Sequence, residues 1–490
     1  MTSNKRKRVN FKINNAQDRS MKKANDILKN FATPSAIVQR KFCVGKRKGL
    51  IMYNPDLSNA ELISHMLKVL EECKCKIKNI SELNDKFVIV AESFVTYEDS
   101  KVMEGMLSGD CIVLLGRVDG FIVVNTRKYD VRAVSEPPTS NVMQGAREGF
   151  VEDVKTNLSL LERRLRSPYL AIEKTTVGRI SSTTVAIVYL GNVADKKIVD
   201  KVRARLNGID VDGAVDTNFI RAFLEDKPMS LFAQSSLTEK PDVVASKMLE
   251  GRVAIIVDGS PMVLTIPFML VEDFQSGDDY YQRSAFATFL RIIRSLGVIT
   301  AVFLPGLYVA LQIFHYNIIP MRFILTLMSS VNGIPFKPLS ETMFVLFLFE
   351  IIREAGIRTP RAVGMAMSIV GALVLGDTAV KAGIISSPAV MIVALSSIAL
   401  YTVPNQVGTM SILRVIFTLL GGVGGLYLLM CGALFTIAYL TCHDSYDTPY
   451  LAPIAPFVQD DVKDSYVKVS ALRMKYRPKA LPGSNKRRQK

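Results

Sequence analysis

The sequence predicts a protein in two parts, with two similar cytosolic α/β subdomains followed by a polytopic helical transmembrane domain. Residues 1–293 contain no uncharged run long enough to cross a bilayer, whereas residues 295–442 hold several apolar stretches with few charges. A helix of about 20 apolar residues spans the hydrocarbon core of a membrane. A second observation is that one order of predicted strands and helices occurs twice before residue 293. A third is that the positive charge of the chain lies at its two ends.

These patterns divide the chain into five predicted parts. They are a basic flexible tail (1–40), a first α/β subdomain (41–145), a linking helix with a second α/β subdomain (146–285), a transmembrane domain of four to six segments (286–445) and a basic cytosolic C-terminal tail (446–490).

The duplication is predicted from the order of the elements. In the first copy, residues 58–70 have helical spacing, a short strand is predicted at Phe87–Val90, and two apolar runs flank Asp119-Gly120 as in a hairpin. In the second copy, strands and helices recur between residues 184 and 249, and another hairpin surrounds Asp258-Gly259. Placing LSGD (107–110) beside LEGR (249–252) aligns the two hairpins. The alternative to a duplication is that short strands match by chance.

The charge and the residue types exclude several functions. The net charge is +16, yet residues 1–50 alone hold 14 Lys and Arg against two acids, and residues 468–490 hold nine against none. Neither end has the aromatic interleaving of a nucleic-acid surface, so we favour solvated tails beside a cytoplasmic leaflet. The six cysteines have neither disulfide nor zinc spacing. Phosphate-loop, dinucleotide and zinc-protease motifs are missing, so we predict a protein that is not an enzyme and uses no cofactor or metal.

The membrane part contains five candidate segments and a shorter one. The five are 295–316, 342–352, 362–376, 387–403 and 415–442, and the shorter run 323–336 is expected to be re-entrant or interfacial. If both basic ends lie in the cytosol, the number of crossings must be even. The sequence leaves two explanations open: the acid-rich segment 342–352 does not fully cross, or the glycine-interrupted segment 415–442 is not one simple span.

Charged residues in this part are the candidate functional groups, because charges at membrane depth are costly and usually face a cavity or a partner. Glu350 shares a helix face with Glu354, and Asp377 is spaced to pair with Lys381. One interpretation is an ion or proton path. The other is that these side chains reach the membrane surface near the ends of segments.

Small residues in the same part suggest close helix packing or a pore. Gly364, Gly371, Gly421 and Gly425 are predicted to pack helices against each other. Segment 362–376 also suits a helix that lines a narrow pore, where apolar rings gate by dewetting. The candidate pore-lining residues are Met365, Ile369, Val370, Leu373, Glu350 and Asp377.

Four long motifs in a fixed order resemble those of one family. They are REGFVEDVKTNLSL (147–160), EDFQSGDDYYQR (272–283), FEIIREAGIRTP (349–360) and SIVGALVLGDTAVKAGI (368–384). This chain resembles the A subunits of spore germinant receptors, the GerA family, over about residues 147–405. The family's first motif usually begins with proline, where Ala146 stands here.

The resemblance implies a subunit of a nutrient receptor in the spore inner membrane. It implies partnership with a permease-like B subunit, which holds the nutrient, and a lipoprotein C subunit. It further implies a homo-oligomeric ring, a pentamer among the options, whose membrane helices enclose an ion pathway. The alternatives are a related sporulation membrane protein without its own nutrient-sensing partner, and a solute transporter.

Overall fold

The structure is a computed structural model that describes residues 19–45, 47–72, 77, 79–87, 92–116, 118–128, 145–360, 363–364, 371, 376–483 and 485–488. Its first half holds two five-stranded antiparallel sheets, and its second half is helical.

The first subdomain is a sheet with helices on both faces. After helix α1 (Arg19–Lys29), its elements are β1 (Val38–Val44), β2 (Arg47–Tyr53), α2 (Ala60–Glu72), α3 (Ile80–Phe87), β3 (Ser93–Thr96), α4 (Asp99–Ser108), β4 (Cys111–Leu115) and β5 (Phe121–Val124). The strand order is β1-β2-β4-β5-β3. Alternate residues of β4 enter different cores, Val113 on one face and Ile112 on the other, as strand geometry requires.

The second subdomain repeats this plan after helix α5 (Val154–Arg164). Its elements are β6 (Leu170–Val177), β7 (Thr183–Leu190), α6 (Lys196–Asn207), α7 (Thr217–Leu224), β8 (Ser236–Thr238), α8 (Pro241–Glu250), β9 (Val253–Val257) and β10 (Val263–Ile266). The strand order, β6-β7-β9-β10-β8, matches the first sheet strand for strand. The prediction of two similar α/β subdomains is therefore confirmed.

Two glycines explain why the aligned tetrapeptides mark the repeat. Gly109 ends α4 with φ +90°, and Gly251 ends α8 with φ +111°. Both are left-handed helix ends, a conformation that glycine adopts without strain. Each cap turns the chain from a helix directly into a fully buried strand, β4 or β9.

One predicted strand differs from the structure. Phe87, the first residue of the predicted strand Phe87–Val90, is the last residue of helix α3, and residues 88–90 lie outside the described part of the chain.

The helical half begins with α9 (Ser284–Ile313) and the short α10 (Met321–Val331). It continues with α11 (Pro338–Arg358), α12 (Ser387–Leu400) and α13 (Val407–Thr441), and residues 376–381 are also helical. In the described part of the chain, Ser284–Ile313 and Pro404–Thr441 are long and apolar enough to cross a membrane. Helix α12 is apolar but shorter.

Helix α13 folds back on itself. Gly424 and Gly425 have non-helical backbone angles, and φ +62°, ψ −149° at Gly425 is a conformation essentially confined to glycine. Both ends of α13 contact one loop of the second subdomain: Thr409 Oγ1 donates to Leu231 O at 2.6 Å, and Tyr439 OH donates to Ser230 Oγ at 3.0 Å. A straight helix would hold these two ends about 45 Å apart. Helix α13 is therefore a hairpin of two nearly equal halves.

The hairpin gives the helical half a near end, beside the second subdomain, and a far end, at Gly425. Helix α9 starts at the near end and reaches the far end, where His315 lies beside Gly425. Helix α11 runs in the opposite direction, since Leu339 lies against Gly422, close to the far end. Helix α12 also returns to the near end, because Ser386 before it bonds to Glu341 and Gln406 after it bonds to Asp273.

The residues after α13 pack back onto the second subdomain and the start of α9. Tyr446 and Tyr450 are buried, and Leu481 joins a small apolar cluster with Met269 and Val271.

Candidate functional site: a buried charge cluster

An arginine two turns inside α13 is the centre of the candidate site. Arg414 is 1% exposed, and its Nη2 donates to Glu350 Oε1 of α11 at 2.7 Å. Its Nη1 donates to Ser397 Oγ of α12 at 3.0 Å and lies 3.2 Å from Ser396 Oγ. One guanidinium group therefore joins three helices. A charge buried in this way is tolerated only when it is paired and hydrogen-bonded.

Glu350 completes the cluster by accepting from a second arginine. Arg353 Nε donates to Glu350 Oε2 at 2.6 Å, so each carboxylate oxygen has its own cationic partner. Glu350 is 23% exposed. The cluster holds two positive charges and one negative, which leaves it net positive.

Serine residues of α12 extend the network to α9. Ser396, itself fully buried, donates to Ala301 O of α9 at 2.7 Å. Helices α9, α11, α12 and the first half of α13 are thus tied together at the level of Arg414. This arrangement braces a bundle, and it gives the bundle a polar layer that is sensitive to any change in helix spacing.

A second buried acid lies toward the far end. Glu341, in the first turn of α11, is fully buried, and its Oε1 accepts from the backbone N–H of Ser386. Ser386 caps α12, so the carboxylate sits at the positive end of a helix dipole. Among the described residues, its Oε2 has no hydrogen-bond partner, and Tyr308 of α9 lies nearby.

Close glycine contacts bring α9 and α13 together. Gly306 and Gly421 face each other so closely that a Cβ on Gly421 would lie 2.9 Å from the carbonyl carbon of Gly306. The Phe303 and Phe417 rings pack beside them with centroids 4.4 Å apart. Gly425, by contrast, forms the turn of the hairpin.

The other predicted glycines lie near α11. A Cβ on Gly371 would lie 3.4 Å from Ile352 of α11, and one on Gly364 would lie 2.7 Å from Gly356 O.

The predicted pore-lining residues fall into two groups. Met365, Ile369, Val370 and Leu373 lie outside the described residues. The remaining two lie on either side of that segment: Glu350 in the Arg414 cluster, and Asp377 in an exposed ion pair with Lys381 at 2.6 Å. The expected i, i+4 pairing of Asp377 with Lys381 is thus observed, and the structure does not bring Asp377 together with Glu350 by any described contact.

The near end carries a separate ionic junction. Asp279 is fully buried and accepts from Arg291 Nε at 3.0 Å and from both terminal nitrogens of Arg294 at 2.8 Å. Burial raises the pKa of Asp279, but the hydrogen bonds from the two arginines outweigh burial and hold it below its usual value. Arg291 also donates to backbone oxygens of Asp464 and Ser465, which ties the C-terminal segment to α9.

A neighbouring acid connects the second subdomain to the start of α13. Asp273 Oδ2 accepts from Gln406 Nε2 at 2.6 Å. Burial raises the pKa of Asp273 to about 6, with Gln406 acting in the opposite direction. In the described residues, no three His, Cys, Asp or Glu side chains come together as metal ligands. The hydrogen bonds of Asp273 and Asp279 connect the second subdomain to the helical half.

Sequence reasoning missed Arg414. The residue stands just before the apolar run 415–442 in the sequence, although helix α13 begins seven residues earlier. The paired serines of α12, Ser396 and Ser397, are the signal that could have identified it, since they are polar groups inside an apolar helix.

Comparison with known proteins gives one consistent result. The family model described as Bacillus/Clostridium GerA spore germination protein matches residues 25–480. Spore germination protein KA of Bacillus subtilis (strain 168) is 37% identical over 391 residues, 79% of this chain and 72% of that protein. Spore germination protein GerLA of Bacillus cereus is 34% identical over 415 residues, 84% of each chain. The Uncharacterized membrane protein YfkQ of Bacillus subtilis (strain 168) is 32% identical over 449 residues, 91% of this chain and 88% of that protein.

One solved structure is also similar. The crystal structure of the N-terminal domain of the A subunit of the Bacillus megaterium spore germinant receptor GerK3 aligns with a TM-score of 0.38 and 24% identity. It covers 50% of this chain and 92% of that one.

The chain combines a duplicated α/β module with a helical half that has two candidate membrane spans among its described residues, and the family match identifies it as a membrane protein of spore germination. The family match covers most of the chain, including both subdomains and all of the described membrane helices. The chain belongs to the GerA family of spore germination proteins. The resemblance drawn from the four motifs is therefore confirmed, and so is the prediction that the protein is not an enzyme.

Proposed function

We propose that this chain is the A-type membrane subunit of a nutrient germinant receptor in the spore inner membrane. In this proposal, copies of the chain form a ring that acts as a nutrient-gated ion channel. A permease-like B subunit holds the nutrient, and a lipoprotein C subunit completes the receptor. The observation that carries the proposal is the ion pair between buried Arg414 and Glu350, where α11, α12 and α13 meet; Glu350 belongs to the helix that precedes the candidate pore segment 362–376 in the chain.

The direction of the helices supports a topology with both ends of the chain in the cytosol. Helices α9, α11 and α12 and the two halves of α13 account for five passages between near and far ends. The chain from Arg358 to Ser386 makes the sixth. Six is even, as the basic ends require. We also propose that the chain divides into its five parts at residues 41, 146, 286 and 446.

The two charged candidates take different roles in the channel. Glu350, held by two arginines, braces the bundle at the level of Arg414. Asp377 is exposed and can face a water-filled path. The apolar Met365, Ile369, Val370 and Leu373 form the gate by excluding water. Gly364, Gly371 and Gly421 allow close helix packing, and Gly425 sets the hairpin.

Gating follows from the near-end junction. Nutrient binding in the partner shifts a two-state ring. Asp273 with Gln406 and Asp279 with Arg291 connect the second subdomain to α13 and α9, so movement of that subdomain changes helix spacing at the Arg414 layer.

The direct test measures monovalent cation release from spores that carry Val370→Ala or Leu373→Ala. Widening an apolar gate is expected to cause release without nutrient. Leu434→Ala is the matched control, because Leu434 is exposed on the second half of α13. If neither gate variant changes constitutive or nutrient-triggered release while the receptor still assembles, the pore assignment is wrong.

A second candidate function is a sporulation membrane protein of this family without its own nutrient-sensing partner. The extensive similarity to YfkQ, whose name assigns it no receptor, keeps this candidate open. Purification of the tagged full-length chain from spores distinguishes the two. Recovery of B-type and C-type subunits supports the receptor, and recovery of the chain without them supports the alternative.

A further inference from the structure

The second subdomain carries an apolar patch that its own fold leaves uncovered. One side of α7 packs into the core, yet Phe219 and Phe223 on the other side are 43% and 42% exposed, with ring centroids 5.4 Å apart. The loop after α7 exposes Met229 to 98% and Leu231 to 43%. We call these four side chains the α7 patch. Clustered large apolar side chains on a surface mark a contact with a partner or a membrane.

The loop part of the α7 patch lies beside the two ends of α13. The carbonyl oxygen of Leu231 accepts from Thr409 at the start of α13, and the adjacent Ser230 accepts from Tyr439 at its end. Lys227, between α7 and Met229, reaches the carbonyl oxygen of Cys442 at 3.4 Å. The loop that holds Met229 and Leu231 therefore touches both halves of the hairpin where they meet the second subdomain.

The exposed apolar surface continues from the helices into the patch. Ile412 and Ile437, within a turn of the two contact points, are both exposed on α13. Exposed phenylalanine, methionine and leucine side chains with a lysine close by in the chain are typical of segments that lie in a membrane interface.

We propose that the α7 patch rests in the headgroup region of the bilayer, so that the second subdomain touches lipid directly beside the ends of α13. This inference depends on the membrane location of the helical half and is independent of the channel proposal.

The chain offers a clean test because it contains no tryptophan. Phe223→Trp and Met229→Trp each introduce a single fluorophore into the full-length protein. The variants are reconstituted in phosphatidylcholine vesicles whose acyl chains carry bromine either close to the headgroup or close to the chain end. Phe94→Trp is the matched control, because Phe94 is 50% exposed on β3 of the first subdomain.

The proposal predicts that bromine close to the headgroup causes a marked loss of fluorescence from both the Phe223→Trp and the Met229→Trp variants, and that deep bromine causes less. The control variant keeps its intensity in every vesicle. Because Met229 is almost fully exposed, its replacement does not disturb packing.

Two results would overturn the proposal. In the first, acrylamide in water quenches both patch variants as freely as the control, which means that the patch is solvated. In the second, the variants are protected from acrylamide but are not quenched by bromine at either depth, which means that a second copy or another protein covers the patch.

Discussion

The contact between Gly306 and Gly421 makes a quantitative prediction about α13. Alanine at position 421 would place its Cβ 2.9 Å from the Gly306 carbonyl carbon and 3.1 Å from its Cα. Ordinary carbon contacts lie at about 3.5–4.0 Å, so the helices must separate by roughly 1 Å. Both obstructing groups are backbone, and no rotamer change relieves the contact.

The expected cost follows from two opposing effects. Overpacking of a tight contact costs about 1–3 kcal/mol, and alanine returns up to about 1 kcal/mol through its better helix propensity. With backbone on both sides, the upper part of the range applies, so Gly421→Ala is expected to destabilise the protein by about 2 kcal/mol. Phe417 and Phe303 must also move, because their rings pack at this crossing.

The assay is thermal unfolding of the purified full-length chain in detergent. At about 2–4 °C per kcal/mol, Gly421→Ala is expected to lower the melting temperature by roughly 4–8 °C. Gly408→Ala is the control on the same helix, since nothing lies within 4 Å of a Cβ there, and it should leave the temperature unchanged or slightly higher. Equal melting temperatures for the two variants would refute the close packing of α9 on α13.

Three further predictions concern charged groups. Glu350→Gln leaves the buried Arg414 without its carboxylate and is expected to destabilise the protein by about 3 kcal/mol in the same thermal assay, whereas Glu354→Gln, in an exposed pair, should change little. Glu162 lies between the two subdomains, and burial raises its pKa to about 7 from 4.5. As pH rises, the unfolded state releases this proton near pH 4.5, whereas the folded state keeps it until about pH 7. The free energy of unfolding therefore falls as pH rises from about 4.5 to 7. In denaturant unfolding, the free energy of unfolding of Glu162→Gln should therefore exceed that of the native protein by about 3 kcal/mol at pH 8 and differ little from it at pH 4. An equal increase at both pH values would contradict this prediction. Asp279→Asn removes the negative charge that binds Arg291 and Arg294 at the near end. Limited proteolysis should then cut the chain between the second subdomain and α9 faster than in the native protein. An unchanged rate of cleavage would show that this junction does not hold the second subdomain and α9 together.

The α/β half could be predicted because its signals are local. The Asp-Gly turns and the glycines at the ends of α4 and α8 are fixed by backbone conformation, which nearby residues determine. Phe87 shows the limit, since a short apolar run suits a strand or the end of a helix equally well. In the structure, Phe87 is the last residue of helix α3.

The membrane half was less predictable because its key contacts join distant segments. Nothing beside Arg414 in the sequence indicates that its partner is Glu350, 64 residues earlier. The glycine run at 421–425 suggested either packing or an interrupted span, and both occur: Gly421 lies at a helix contact, and Gly424 and Gly425 break the helix. Composition revealed the position of the break but not the direction that the chain takes after it.

The folded-back α13 has a mechanical consequence. Since both of its ends meet the loop at Ser230 and Leu231, a displacement of that loop moves the two halves of the hairpin together, and the turn at Gly425 moves with them. The hairpin is held at the second subdomain, and its turn lies beside His315. We expect a small rotation of the second subdomain to be transmitted to the opposite end of the bundle without unwinding a helix.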